Sequence, residues 1–233
     1  MKKFKPFPLI VLAGIALFLA LPRPLAPGYF ILSFVIFGVL IGAGLYLSEN
    51  AGLSPLLVHG TSRSGGLPPL ILARSALIGA GLGALMLGAI RFILPSVLPE
   101  IQSRIAAESS IATWKRVVIA FDSSILEEIA FRLFLFSGLI WLAGKARHMP
   151  RPPSPQTLWA VNALIALGFG AAHLPQWSAI MPLTPSIALT VVFLNGIGGL
   201  VFGYLYFDNG LGAAMSAHFF ADFVLHVIGP RFL

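Results

Sequence analysis

Apolar residues run along this chain in long stretches, broken by Pro, Gly and charged clusters. A membrane-spanning helix needs about 20 mostly apolar residues, and the pattern predicts seven of them. They run from about Phe7 to Leu21, Gly28 to Leu47, Leu70 to Leu94, Trp114 to Ala143, Thr157 to His173, Ser186 to Phe207 and Leu211 to Ile228. Lys2, Lys3 and Lys5 precede the first stretch, and Pro22, Arg23 and Pro24 end it. No small-residue cleavage site follows and the next stretch begins almost at once, so it reads as a retained anchor rather than a signal peptide. Residues 48–69 form a polar, Gly/Ser-rich connection, with a short apolar piece around Leu56 that makes an eighth span if it inserts. The predicted fold is all-α: a polytopic transmembrane bundle of seven to eight helices. Within this single integral membrane domain, residues 1–113 supply the first spans and a polar connection, and residues 114–233 form the core that carries the candidate chemistry.

Small residues recur at spacings of four in the third span (Ala76, Ala80, Ala84, Gly88) and in the second (Gly38, Gly42). That spacing predicts close helix packing. Trp114, Trp141, Trp159 and Trp177 fall near inferred span ends, as in the aromatic belts of membrane proteins.

Composition agrees with a bilayer and removes other classes. The chain of 233 residues is 58% hydrophobic and 10% charged, where a soluble domain would be about one quarter charged. This excludes an ordinary water-soluble enzyme, and the apolar fraction excludes disorder. The absence of Cys removes thiol catalysis, disulfides and Cys-ligated metal sites. Lys and Arg number 15 against 8 Asp and Glu, a formal +7. No run of five basic residues interleaved with aromatics is present, so the partner of this charge is the lipid bilayer and not nucleic acid. Basic residues, including Lys115 and Arg116, serve as membrane-margin groups in this reading, and their weak bias leans towards a cytoplasmic amino terminus. The expected location is the cell membrane of a bacterium or archaeon, as a multi-pass protein.

The acids change the picture. Glu49, Glu100, Glu108 and Asp208 fall in polar connections, whereas Asp122, Glu127, Glu128 and Asp222 fall inside apolar spans. An ionised group there costs on the order of 2.5–3.5 kcal/mol on insertion scales, which asks for a functional reason. Glu128 and Arg132 are four apart and share a helix face, where they can pair. Glu127 lies about 100 degrees round the helix and is left over. It must hold its proton or find a partner on another helix, and either state suits a general base. His173 ends the fifth span, and His218 and Asp222, four apart, share a face of the seventh. Asp122 reads as an interfacial or capping group, and His59, His148 and His226 as solvated.

Three motifs occur in order: Glu127-Glu128-Ile129-Ala130-Phe131-Arg132 as Glu-Glu-x-x-x-Arg, Phe169 to His173 as Phe-x-x-x-His, and His218 to Asp222 as His-x-x-x-Asp. Their order, each within an apolar span, resembles the CPBP family: CAAX prenyl proteases and bacteriocin-processing intramembrane glutamic proteases. Asn195 and Gly199 resemble the family's weaker intervening motif. The resemblance covers about Trp114 to Gly229. It implies a bundle of about eight helices around a membrane-embedded catalytic cavity that admits a peptide and water. It implies that Glu127 and His173 activate the hydrolytic water, that Glu128 and Arg132 hold Glu127 in place, and that His218 with residue 222 forms the oxyanion hole, with Asn195 in support. Residue 222 departs from the family's usual Asn, whose amide donates hydrogen bonds. Either Asp222 keeps a proton and donates, or it accepts and orients His218 as the donor; the second is preferred.

No cofactor is expected. A zinc protease using Glu127, His173, His218 and Asp222 is the first alternative, although no His-Glu-x-x-His is present and Arg132 would compete with a cation. A non-catalytic peptide-binding scaffold or immunity protein, and a proton-coupled transporter, are the others. The expected partner is a membrane-associated peptide or protein tail: a prenylated carboxyl-terminal tail, a bacteriocin leader or a sorting tail.

Overall fold

The computed structural model describes residues 7–20, 27–53, 69–98, 109–147 and 152–232. Each of the seven apolar stretches is helical. They form α1 (Phe7–Ala20), α2 (Pro27–Ala51), α3 (Pro69–Phe92) with the short α4 (Leu94–Val97), and α5 (Thr113–Glu128), which runs through a π-helical segment (Ile129–Phe136) into α6 (Ser137–Arg147). α7 (Pro155–Ala172) is followed directly by the short α8 (Leu174–Ser178), then α9 (Pro185–Asn209) and α10 (Leu211–Asp222), which ends in a second π-helical segment (Phe223–Ile228) and a 3-10 turn (Gly229–Arg231). Lys2, Lys3, Lys5, the Pro22 to Pro24 breaker, His59, the apolar piece around Leu56, the acids Glu100 and Glu108, and His148 lie outside the described residues.

Local chemistry sets the helix ends. Ser154 and Thr184 cap α7 and α9, each side chain accepting from the backbone N–H three residues on, with proline at the first helical position. α9 turns into α10 at Gly210, whose φ of 90 degrees suits glycine.

Five helical stretches among the described residues are long and apolar enough to cross a bilayer: Gly28–Ala51, Pro69–Phe92, Pro155–Ser178, Pro185–Asn209 and Leu211–Arg231. α1 is apolar but spans only about 21 Å, short of a hydrocarbon core of about 30 Å. The continuous helix from α5 to α6 buries Arg116, Asp122, Glu128 and Arg132, while Lys115 and Lys145 stay exposed. Large apolar side chains such as Leu77, Leu85, Leu167, Leu189 and Phe193 face outward, while Glu128, Arg132, Ser137 and Asn162 are fully buried. A bundle that hides polar groups and exposes apolar ones is matched to lipid.

Small residues do set the packing, but on a different stripe from the one expected. Gly38, Gly42 and Gly88 have nothing within contact distance of where a Cβ would stand, and Ala84 is exposed. The close approach between α3 and α10 is made at Gly79 and Gly83, also four apart, where the backbone carbonyls of Ala217 and Ala221 occupy the space of the missing side chains, and Ser75 is buried one turn before them. α7 and α9 meet in the same way at Gly170, Gly199 and Gly203, against Val192, Ala166 and the Asn162 amide. Both spacings fit the sequence; the contacts choose the glycines because only they let two backbones touch.

Gly79→Val forces α3 and α10 apart and is expected to cost about 1–3 kcal/mol of stability, whereas Gly88→Ala stays within about 0.5 kcal/mol. Thermal unfolding of the two variants in detergent checks the difference; equal melting would contradict this packing.

Candidate active site

A cavity of about 260 Å³ lies between α3, α5, α7, α8, α9 and α10. Arg116, Ile119, Ser123 and Glu127 form one stripe of α5 along its wall, because steps of three and four residues keep to one helix face. His173 enters from the turn between α7 and α8, Asn195 from α9, and His218 and Asp222 from α10.

Glu127 and Glu128 separate as their helix angle demands. Glu128 points into the bundle and is fully buried. Its Oε1 lies 3.2 Å from Arg132 Nη1 and 2.8 Å from His218 Nδ1. The Arg132 guanidinium donates from Nη2 to the Gly199 carbonyl at 3.1 Å and lies 4.4 Å over the Phe169 ring. A Cβ at residue 199 would press on Ala166 at 3.0 Å, so glycine there is what brings this carbonyl within reach of the arginine. Arg132 falls in the π-helical segment, and the looser turn is a frequent companion of functional sites.

Glu127 faces the cavity. Its Oε2 is 3.9 Å from His173 Nε2 and 3.9 Å from His218 Nε2, so it stands equally far from two imidazoles carried by other segments. The same oxygen is sheltered from solvent and has no hydrogen-bond partner. His173 Nδ1 donates to the Phe169 carbonyl at 2.8 Å, which in the neutral ring leaves the Nε2 lone pair directed at the cavity. Phe169 also borders both histidine rings, at 4.9 and 5.7 Å between centroids.

His218 is held on three sides. Glu128 takes Nδ1, the Phe202 ring stacks on the imidazole at 4.5 Å, and Nε2 lies 3.5 Å from Asp222 Oδ2. Asp222 accepts from the Ser123 hydroxyl at 2.7 Å, and its other oxygen lies 4.0 Å from His226 Nε2. Asn195 lines the cavity and donates from Nδ2 to the Val191 carbonyl at 2.8 Å. Glu127, Glu128, Arg132, His173, Asn195, His218 and Asp222 are thus gathered in or directly behind the lining of one cavity.

Several participants were not expected. Ser123 is a direct partner of Asp222, and its place four residues before Glu127 was the available signal. His226 lies on the cavity wall rather than in solvent, four residues after Asp222 on the same face. Trp177, at the end of the Pro155–Ser178 stretch, also borders the cavity. Asp122 is buried away from the cavity wall rather than interfacial. Arg116 is buried at the cavity wall instead of at a membrane margin. Among the described residues no group of three or more His, Cys, Asp or Glu side chains is arranged to hold a metal ion.

Residues 109–224 match the family model described as type II CAAX prenyl endopeptidase Rce1-like. No curated protein and no solved structure matches the chain.

Removing one member of a buried ion pair strands the other, at a cost of about 3–5 kcal/mol. Glu128→Leu is therefore expected to lower thermal stability far more than Glu127→Leu, whose carboxylate holds no such pair. Melting curves in detergent check the order; a reversed order would contradict the assignment of Arg132 to Glu128.

Proposed function

The chain belongs to the Rce1-like family of type II CAAX prenyl endopeptidases and is a multi-pass membrane protease, and on that premise we propose a glutamate-based hydrolysis of membrane-associated peptides. The observation that carries this reading is the equal 3.9 Å separation of Glu127 Oε2 from His173 Nε2 and His218 Nε2 inside one cavity. This separation is too long for a direct hydrogen bond and is of the length that a water oxygen bridges.

The water then lies between Glu127 and His173. Glu127 takes its proton as the oxygen attacks the scissile carbonyl carbon, while His173, oriented through Phe169, accepts the water's other hydrogen as a hydrogen bond. Negative charge gathers on the carbonyl oxygen, and the His218 imidazolium, whose Nδ1–H is held by Glu128, donates to it from Nε2–H. Glu128 on Nδ1 and Phe202 on the ring face keep that donor aimed before the reaction begins, so little reorganisation accompanies charge development. When the tetrahedral intermediate collapses, the C–N bond breaks and Glu127 returns its proton to the leaving amine. Water is consumed and no other reactant is required.

Asp222 accepts from Ser123 at 2.7 Å and stands 3.5 Å from His218 Nε2 as a negative charge that balances the imidazolium, whose Nε2–H stays free for the oxyanion. The zinc reading is disfavoured by the Arg132 cation, which stands behind the Glu128 carboxylate that holds His218. The substrate is a peptide tail held at the bilayer, of which a prenylated tail of the CAAX type is the member that the family description names.

Glu127→Gln is expected to lower kcat by about 10²–10⁴-fold, the usual contribution of a positioned general base, while melting like the wild type. Cleavage of a farnesylated CAAX peptide by protein in lipid nanodiscs checks it; unchanged cleavage would overturn the mechanism. Asp222→Asn is expected to retain substantial proteolysis, because an amide can still orient His218 and accept from Ser123. Complete loss of cleavage in a folded Asp222→Asn protein would show that the carboxylate has a further task.

A further inference from the structure

Ser123 lines the cavity one turn of α5 before Glu127, and the hydrolytic steps ask nothing of it directly. Its hydroxyl has one proton and two acceptors in reach: the Ala120 carbonyl at 3.2 Å and Asp222 Oδ2 at 2.7 Å. The first is the local bond that a serine within a helix makes to its own preceding turn. The second crosses from α5 to α10, and it is short, as bonds to a charged acceptor are. The proton therefore belongs to Asp222.

The oxygen that Ser123 holds is the one nearest the oxyanion donor. Asp222 Oδ2 stands 3.5 Å from His218 Nε2, beyond the length of about 2.7–3.2 Å of an ordinary N–H···O bond. Asp222 follows His218 by one helical turn, so the two side chains share a face of α10 and a side-chain rotation alone can bring them together. A carboxylate can only accept. Advanced by about 0.5 Å, it would draw Nε2–H into a charge-assisted bond. That hydrogen is the one the developing oxyanion needs. The imidazole has no second proton to offer, because Nδ1 is bound to Glu128 at 2.8 Å. The other Asp222 oxygen has His226 Nε2 at 4.0 Å, beyond hydrogen-bond length, so the hydroxyl of Ser123 is the close restraint on this carboxylate.

We propose that Ser123 is a positioning residue that holds the Asp222 carboxylate back from His218 Nε2 and so keeps the oxyanion donor free. This rests on the peptidase reading, in which His218 is that donor, but it does not depend on which group activates the water. An acid at position 222 needs such a restraint, whereas an amide is a weaker acceptor and brings N–H donors of its own.

A double-mutant cycle tests it, with cleavage of a farnesylated CAAX peptide by the full chain in nanodiscs. Alanine is the best helix former, so Ser123→Ala is expected to melt like the wild type. Its kcat is expected to fall about tenfold to a hundredfold, no further than the 10²–10³-fold that follows loss of a whole oxyanion donor, with KM changed less than about twofold. In an Asp222→Asn background the same Ser123→Ala change is expected to alter kcat less than about threefold, because no carboxylate is left to restrain. A serine with a purely structural role would cost the same in both backgrounds, and one that serves only the Ala120 carbonyl would cost nothing in either.

A phosphinate analogue of the peptide, tetrahedral and anionic at the scissile position, reads the same cycle by affinity in Glu127→Gln protein, where turnover is not needed. There Ser123→Ala is expected to weaken the analogue about tenfold or more while binding of the uncleaved peptide stays unchanged. The two claims then fail separately: unchanged cleavage by Glu127→Gln removes the general base and leaves the coupling of Ser123 to Asp222 standing. Wild-type kcat in Ser123→Ala, an equal loss with Asp and with Asn at position 222, or a loss confined to KM and peptide binding would each overturn the proposal.

Discussion

The site depends on a carboxylate that does not line the cavity. Glu128 is fully buried and its Oε1 serves both Arg132 and His218. Two charges taken out of water recover their desolvation only when the geometry is good and further contacts are added. The additions are visible here: the Gly199 carbonyl on one side of the guanidinium and the Phe169 ring on its face. Because His218 hangs from the same oxygen, the pair fixes the orientation of the imidazole as well as its own. The pi-stacked Phe202 completes that restraint.

From this centre the rest of the bundle follows. Gly199 must approach Ala166 for its carbonyl to reach Arg132, and Gly79 and Gly83 let α10 settle on α3 so that His218 and Asp222 arrive opposite α5. Backbone contact between helices is thus the means by which side chains from distant parts of the sequence meet at separations of 2.7 to 3.9 Å. The cavity between these helices combines apolar lining from Met86, Ile90, Leu194 and Leu225 with polar groups from Ser123, Gln176, Asn195 and His226 beside Glu127 and the other site residues.

Much of this was legible in the sequence, and the limits have physical causes. Length and apolarity alone locate the seven helices, because a bilayer leaves the backbone few alternatives. The four-residue step from Glu128 to Arg132 predicts their pairing, since local geometry settles it. Contacts between helices are not local. Nothing in the spacing says whether Ala80 or Gly79 faces α10, that Glu128 reaches His218, or that Ser123 meets Asp222. Charge counting misassigned Arg116 and position misassigned His226, because a residue near a span end faces either the lipid margin or the interior, and only the packed helix decides which.

If Glu127 activates water with no metal behind it, the wild-type protein cleaves a farnesylated CAAX peptide at the same rate before and after exhaustive chelation. Loss of cleavage on chelation, restored by adding zinc, would rule this mechanism out.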